Sequence, residues 1–447
     1  MSDLLSIGAS GVRAYQTALT AVGENIANVG TDGYSRRSVT MQEISPAAGL
    51  AANKVSAGSG VVVLGIARAT DVYASAAVRS ATADLSRTTT GVTWLNRIEG
   101  ALTGDQVQTR LTAFFTAART LSAEPTSAAL RATMLETARS TATAFTATDS
   151  AFDQINADFD GQARQAARDL SSLATSLVRV NDGLGRTQPG TAAAAQLADQ
   201  RDQILTQMSA LSDITSTTDE LGRATVRLGD RAGPILAATD STGAVTYQRG
   251  ADGSVSFQVA LNGQISDFVP TGGAIAGMLD GAERINVARG AFNQLAKSFV
   301  ETVNGLQAGG QDLNGATGTA MFGLTAGTAQ MSLLMTDGSK IAAAKGNQGS
   351  RNADNLAALE TVRGSAGFEN KLTQIVTDNA TTLKQRQTVA DAQSAIRDGA
   401  KASLSAASGV TLDSEAVTLM RFQQAYSATS RVIQAARETF QSILELR

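Results

Sequence analysis

Four short stretches of the 447-residue chain carry side chains able to do chemistry or recognition. Asp199-Gln200-Arg201-Asp202 sets two carboxylates around a guanidinium. On one helical stretch that combination reads as solvated or intra-helix ion pairs rather than as an acid-base set. Asp312-Leu313-Asn314-Gly315 begins like a calcium loop but lacks the further oxygen ligands and terminal glutamate, so it reads as a plain turn. Gly58, Gly60 and Gly65 do not fall at dinucleotide-binding spacing and precede no convincing helix, which argues against a phosphate site. Tyr34-Ser35-Arg36-Arg37 offers an aromatic ring and two guanidiniums. It suits either a patch that docks a neighbour or a solvated loop after a helix stop, and both readings stay open.

The chain has no cysteine and no histidine. Thiol nucleophiles, disulfides, cysteine- or histidine-based zinc sites, Ser-His-Asp triads and HExxH helices are therefore excluded. The expectation is a protein that is not an enzyme, with no catalytic group, no cofactor and no metal. A formal charge of -3 provides no basic field for nucleic acid or an anionic membrane surface. No stretch approaches the roughly 20 continuous apolar residues of a membrane span. The N-terminus MSDLLSIGASGVRAY has neither a basic n-region nor a solid apolar h-region, so no cleavable signal is visible. Only 4% of residues are aromatic and five are proline, which suits long helices packed through small side chains.

The two ends of the chain carry matched stripes. Leu5, Gly8, Val12, Tyr15, Leu19, Val22, Ile26 and Val29 recur in steps of three and four, as do Leu419, Phe422, Tyr426, Thr429, Ile433, Ala436, Phe440 and Ile443. Such a seam needs a partner helix, and an isolated helix of this length is marginal in water. The economical solution packs the two ends on each other or on neighbouring subunits.

Between the stripes, Pro46 lies in the loop-like SPAAGLAANK, ahead of the β-branched run Val61-Val62-Val63 and Ile66. Residues 71–211 read as helical, broken near Gly104, Pro125 and Gln188-Pro189-Gly190. A step of eleven residues from Phe159 to Leu170 predicts a stutter in the packing. The period changes to two at Thr225–Leu228 and Val255–Leu261, with Asp252-Gly253 and Asn262-Gly263 as hairpin turns, so residues 213–270 read as a small antiparallel sheet. Helix returns at 274–307 and 354–400, after a Gly- and Ala-rich segment at 308–353. The expected fold is mainly α with a small β insertion. Its N- and C-terminal helices pair as a coiled coil, and a long-helix bundle with the antiparallel region forms an outer domain.

Taken together, these stretches resemble a known family. MSDLLSIGASGVRAYQTALTAVGENIANVGTDGYSRR is similar to the N-terminal motif of the axial, or rod-hook, proteins of the bacterial flagellum. The motif's turn residues stand here as Ala27, Asn28, Thr31, Gly33 and Tyr34, followed by Arg36. SGVTLDSEAVTLMRFQQAYSATSRVIQAARETFQSILEL resembles the matching terminal helix. Asp32 stands where the family often has proline and Arg37 where glutamine is common. Within the family, Gly33-Tyr34-Ser35-Arg36 resembles the hook-associated members. So do the helix with Leu197, Asp199-Gln200-Arg201-Asp202, Leu205 and Leu211, the helix start Gly272–Asp280, and the loop Gln311–Gly315.

The resemblance implies a structural subunit of the hook-filament junction. It implies a terminal helical domain of residues 1–35 with 405–447, whose seams of Leu5, Val12, Tyr15, Leu19, Val22, Ile26, Leu419, Phe422, Tyr426, Ile433, Phe440 and Ile443 serve assembly. Residues 36–404 would form the outer domain. The implied partners are further copies in a ring or helical junction, hook protein, the second junction protein, and an export chaperone on the C-terminal helix. Nucleic acid and membrane are not among them. The implied location is the extracellular flagellum, reached by type III export without a cleaved signal peptide. Longer relatives insert an outward domain after the Asp-Leu-Asn-Gly loop, for which residues 322–354 leave no room. Another axial subunit of the hook or rod is the nearest alternative, and a secreted adhesin the more distant one.

Overall fold

Prolines and glycines set where the helices stop. In the computed structural model, which describes residues 2–44, 60–346 and 348–445, α1 spans Ser2–Ala27 and α2 Val72–Gly104. Two strands lie between them, β1 at Arg37–Glu43 and β2 at Val61–Arg68, paired antiparallel with a bulge at Thr40/Met41. Asp71 caps α2 by accepting from the amides of Tyr73 and Ala74, both at 2.9 Å. α3 (Val107–Ala123), α4 (Ala128–Arg186) and α5 (Ala192–Leu211) follow, separated at Gly104–Gln106, Pro125 and Gln188–Gly190. Pro46 and Gly58 lie outside the described residues.

The β region is two separate three-stranded antiparallel sheets rather than the one sheet expected. β3 (Ile214–Thr218), β4 (Ala224–Leu228) and β5 (Ile235–Ala237) form the first; β6 (Ala244–Arg249), β7 (Val255–Leu261) and β8 (Gln264–Phe268) form the second. Asn262 and Gly263 take φ of 51° and 79°, the paired left-handed conformation of a tight hairpin, between β7 and β8. α6 covers Gly273–Gly309. β9 (Phe322–Leu324), β10 (Met331–Leu333) and a 3-10 turn at Gly338–Lys340 occupy the Gly- and Ala-rich segment. The expected helix at 354–400 is two: α7 (Asp354–Ala366) ends at Gly367, where φ is +61°, and α8 (Phe368–Ser408) runs on past residue 405. α9 closes the chain at Leu412–Glu445.

α4, 59 residues and about 90 Å long, is the spine of the bundle. No stutter interrupts it. Between Phe159 and Leu170 the buried stripe passes through Ala163, Ala166 and Ala167, small side chains that keep the helical period without large apolar markers. The core is a chain of phenylalanine rings. Phe299 of α6 meets Phe114 at 5.5 Å, Phe322 at 5.4 Å and Phe368 at 5.5 Å, and Phe145 stacks on Phe292 at 5.3 Å. α2 reaches this core through Trp94, fully buried against Phe159 at 4.9 Å.

The crossing of α2 and α6 depends on two glycines in Gly272–Asp280 and just beyond it. A Cβ on Gly281 would lie 2.5 Å from the Trp94 ring, and one on Gly277 would run into the Arg87 carbonyl. Because the obstruction at Gly277 is backbone, it cannot swing aside. Gly277→Ala is therefore expected to destabilise the bundle by about 1–3 kcal/mol, read as a lower denaturant midpoint. An unchanged midpoint would mean that the helices do not approach this closely.

Candidate functional site: the paired chain ends

α1 and α9 pack antiparallel, because rising numbers on one meet falling numbers on the other. Gly8 faces Ile433, Gly11 faces Thr429, Tyr15 lies 6.2 Å from the Phe422 ring, and Asn25 reaches Glu415. The centre of the seam is not the large apolar stripe. Gly8, Gly11, Ala14, Ala18, Ala21, Val22 and Asn25 are the buried positions of α1. A Cβ on Gly8 would sit 2.6 Å from Ile433 Cγ1, and one on Gly11 2.7 Å from Thr429 Cγ2. Small side chains on α1 let the two axes approach, with Ile433 and Thr429 of α9 seated over Gly8 and Gly11, and most of the large residues of α1 lie to either side. Leu5, Val12, Tyr15, Leu19 and Ile26 are half-buried, as are Leu419, Phe422, Tyr426 and Ile433, while Ala436 is buried and Phe440 is 51% exposed. Val29 lies beyond the helix end and is exposed; the Ile443 side chain is outside what is described. The glycine and alanine spacing at 8, 11, 14, 18 and 21 is the signal that marks this seam.

α1 stops at a compact turn. The Asn28 amide nitrogens of main chain and side chain both donate to the Glu24 carbonyl, at 3.0 and 2.9 Å, and the Thr31 hydroxyl donates to Asn28 Oδ1 at 3.2 Å. Gly33 takes φ +76° with the Gln203 side chain of α5 against it, and Gln203 donates to the Asp32 carbonyl at 2.6 Å. A side chain there would adopt a left-handed backbone conformation and push the Gln203 side chain aside.

The turn delivers its polar residues to Asn25, whose side chain is fully buried. Asn25 Nδ2 donates to the Arg37 carbonyl at 2.8 Å and to Glu415 Oε2 at 3.0 Å. Asn25 Oδ1 accepts from the Tyr34 hydroxyl and the Arg37 amide, both at 2.9 Å. Glu415, only 1% exposed, pairs with Arg36 at 2.8 Å, and the Arg36 amide donates to the Ser408 carbonyl at 2.9 Å. Burial raises the Tyr34 pKa, partly opposed by Arg37, whose guanidinium lies 4.9 Å over the Tyr34 ring. Arg36 thus joins the two ends of the chain directly, and Tyr34 does so only through Asn25. Arg37, expected in a loop, instead begins β1.

A second layer carries this junction to β2 and α5. Arg37 bridges Glu24 at 2.8 Å and Asp199 at 3.5 Å, and Arg68 of β2 bridges Asp199 at 2.8 Å and also pairs with Asp202. Arg201 pairs with Asp202 at 2.7 Å and donates to the Gly222 carbonyl at 2.5 Å. The intra-helix ion pair expected here forms between Arg201 and Asp202, but Asp199 is buried rather than solvated, and the two aspartates also link α5 to β1 and β2, and through Arg37 to Glu24 of α1. Those further partners are far away in sequence, which is why the local pattern missed them. A buried carboxylate is tolerable only when paired in this way.

The remaining candidates take ordinary roles. Asp312 Oδ1 accepts from the Asn314 and Ala316 amides, both at 2.9 Å, and Gly315 takes φ +81°, which is a side-chain-capped turn. Gly60 approaches Ser10 of α1, and Gly65 packs against Gly190, whose carbonyl accepts from the Ile66 amide at 2.7 Å. Among the described residues no cluster of three or more acidic side chains is placed to hold a metal, and no helix is long and apolar enough to cross a membrane.

Comparison with known proteins places these features. Residues 95–322 match the family model described as the flagellar hook-associated protein FlgK helical domain. Residues 404–446 match that of the flagellar basal body rod FlgEFG protein C-terminal region. Flagellar hook-associated protein 1 of Escherichia coli K12 is 22% identical over the full length of both chains, in an alignment of 554 positions. The Bacillus subtilis 168 protein of the same name is 21% identical, covering 96% of this chain and 95% of the relative. The solved flagellar hook junction protein FlgK from Burkholderia pseudomallei superposes with a TM-score of 0.50 at 20% identity. That match covers 56% of this chain but only 46% of the solved one, and it concerns the fold.

Removing the Asn25 amide leaves Glu415 Oε2, the Tyr34 hydroxyl and the Arg37 amide without the partner they share, while Glu415 Oε1 keeps its pairing with Arg36. Asn25→Ala is expected to cost the junction about 2–3 kcal/mol. Hydrogen exchange should accelerate at 20–37 and 408–420 while α4 and α6 keep their protection. Unchanged exchange at both ends would show that the hub does not hold them.

Proposed function

Because the chain belongs to the flagellar hook-associated protein FlgK family, whose helical-domain model matches half of it, we propose that it is a structural subunit of the hook-filament junction assembled through its paired ends. The observation that carries this reading is the division of labour along α1 and α9. Small residues of α1 take up most of the contact within the chain, and large apolar residues of α9 are left outside it, with Val417 62% and Met420 54% exposed. Full burial of one such side chain contributes roughly 1.5–3 kcal/mol. A few of them per copy therefore stabilise a ring or helical array while each helix pair remains marginal alone.

In this reading residues 1–35 and 405–447 form the inner, polymerising domain and 36–404 the outer one. The turn, β1, β2 and the Glu24–Arg37–Asp199–Arg68 chain of charges are the joint between them. Hook protein lies on one side of the array and the second junction protein on the other. The exposed C-terminal helix is what an export chaperone would cover before assembly, and export runs through the flagellar type III apparatus to the cell exterior. The aligned E. coli relative requires more positions than this chain has residues, which supports loss of the outward domain at 322–354.

Deleting this protein should leave cells with hooks but no attached filaments and with flagellin shed into the medium. Cells without hooks would instead favour a rod or hook subunit. Complementation with Met420→Glu should fail to restore filaments although the protein is folded and exported, because a carboxylate replaces an apolar side chain at the copy-to-copy surface. Full restoration of motility would contradict the role given to that flank.

A further inference from the structure

α8 is packed on one side and open on the other. Asn379 donates to the Leu95 carbonyl of α2 at 3.1 Å, and Arg386 reaches Asp280 of α6 at 3.6 Å, so the side of α8 that carries these two residues faces the bundle. By the helical period, Ala395, Gly399 and Ala402 point away from it. All three are exposed, as is Ala392, and Ile396 beside them is 63% exposed. Over residues 388–407 the charges on this outward side are Asp391 and Asp398, while Arg397 and Lys401 lie round the helix toward the bundle. Arg397 holds Asp398 at 2.7 Å, whereas Asp391 has no ion pair or hydrogen bond among the described residues.

The free flank of α9 has the opposite character. Val417, Met420, Ala428 and Val432 share it with Arg421 and Arg431, all six exposed, and no carboxylate occurs between Glu415 and Glu438. The Arg421 guanidinium lies 5.4 Å over the Phe422 ring, and Arg431 has no ion pair or hydrogen bond among the described residues. One chain therefore carries two helical faces that are apolar along their length, one edged by carboxylates and the other by guanidiniums. Both are exposed in the folded copy, so they do not meet within it.

Rings and helical arrays are built from head-to-tail contacts, which need two unlike faces that fit each other. Building on the role given above to the α9 flank in assembly, we propose that the outward face of α8 is what this flank docks on. The α9 flank of one copy lies along residues 388–407 of a second copy, with its arginines toward Asp391 and Asp398. The small residues at 392, 395, 399 and 402 let the incoming helix approach closely, as Gly8 and Gly11 do within the chain. Opposite charge at the edges fixes the choice of face and the register more than it adds affinity.

Two cysteines test this in a chain that has none. The full-length variant carrying Ala395→Cys and Ala428→Cys, oxidised in isolated hook-filament junctions, should give a ladder of disulfide-linked copies. The ladder should be absent from the free protein and from either single-cysteine variant. Charge reversal tests the pairing. Asp391→Arg and Arg431→Asp should each lower the fraction of hooks that carry filaments by about tenfold with secretion unchanged, and the combined variant should recover it. Absence of the ladder, a disulfide from position 395 to a different protein, or a combined variant no better than the single ones overturns the proposal. Maleimide labelling of Met420→Cys in the same junctions separates the two readings. Shielding there without a ladder leaves the α9 flank as an assembly surface and removes only its docking on α8, whereas free reaction there removes both.

Discussion

A single buried amide governs how the ends of this chain meet. Asn25 is enclosed by α1, the turn after it, β1 and the first turn of α9, and each of its polar atoms is satisfied from a different direction. In a site without water, any one of those partners left alone would be costly. The hub therefore forms as a unit or not at all. It requires the turn at Asn28–Gly33 to bring Tyr34 and Arg37 back over α1, and it requires the joint at Gly409 to place Glu415 opposite Asn25. The antiparallel register of α1 and α9 follows from that one fixed point.

The small-residue seam is the second consequence. With the ends fixed at Asn25 and Glu415, the helices run together past Gly11 and Gly8, where they are too close for a larger side chain on α1. A close seam buries little apolar area per residue, so most of the apolar surface of both helices stays on their flanks. This arrangement suits a subunit whose final packing is with other copies. The buried arginine-carboxylate chain does the complementary task on the other side of the hub. It ties the helix pair to α5 through charges that are specific in direction, whereas apolar contact alone would allow sliding.

Much of this was legible from residue spacing, and the failures have physical causes. The terminal stripes were visible because steps of three and four can serve only a helical seam. Which residues occupy its centre was not, since hydrophobic patterning gives weight to Leu5 or Tyr15 and ignores Gly8 and Ala14. Helix breaks near Gly104, Pro125 and Pro189 were visible because those residues act locally. The stutter between Phe159 and Leu170 was misread for the reason that alanines pack without announcing themselves. β1 was missed since RSVTMQE has only Val39 and Met41 to mark its face, and its conformation is imposed by β2 and by Asn25. The Arg37–Asp199–Arg68 chain spans more than 160 residues of sequence, and no local pattern reveals which distant charges will meet.

The central claim is that the exposed flank of the helix pair is covered only by neighbouring copies. The chain has no cysteine, so single cysteines report on it directly. Met420→Cys and Val417→Cys should react rapidly with a maleimide in the free protein and slowly in isolated hook-filament junctions, while Ala14→Cys, in the internal seam, should be slow in both. Equal and rapid reaction at 417 and 420 in free and assembled protein would contradict the account.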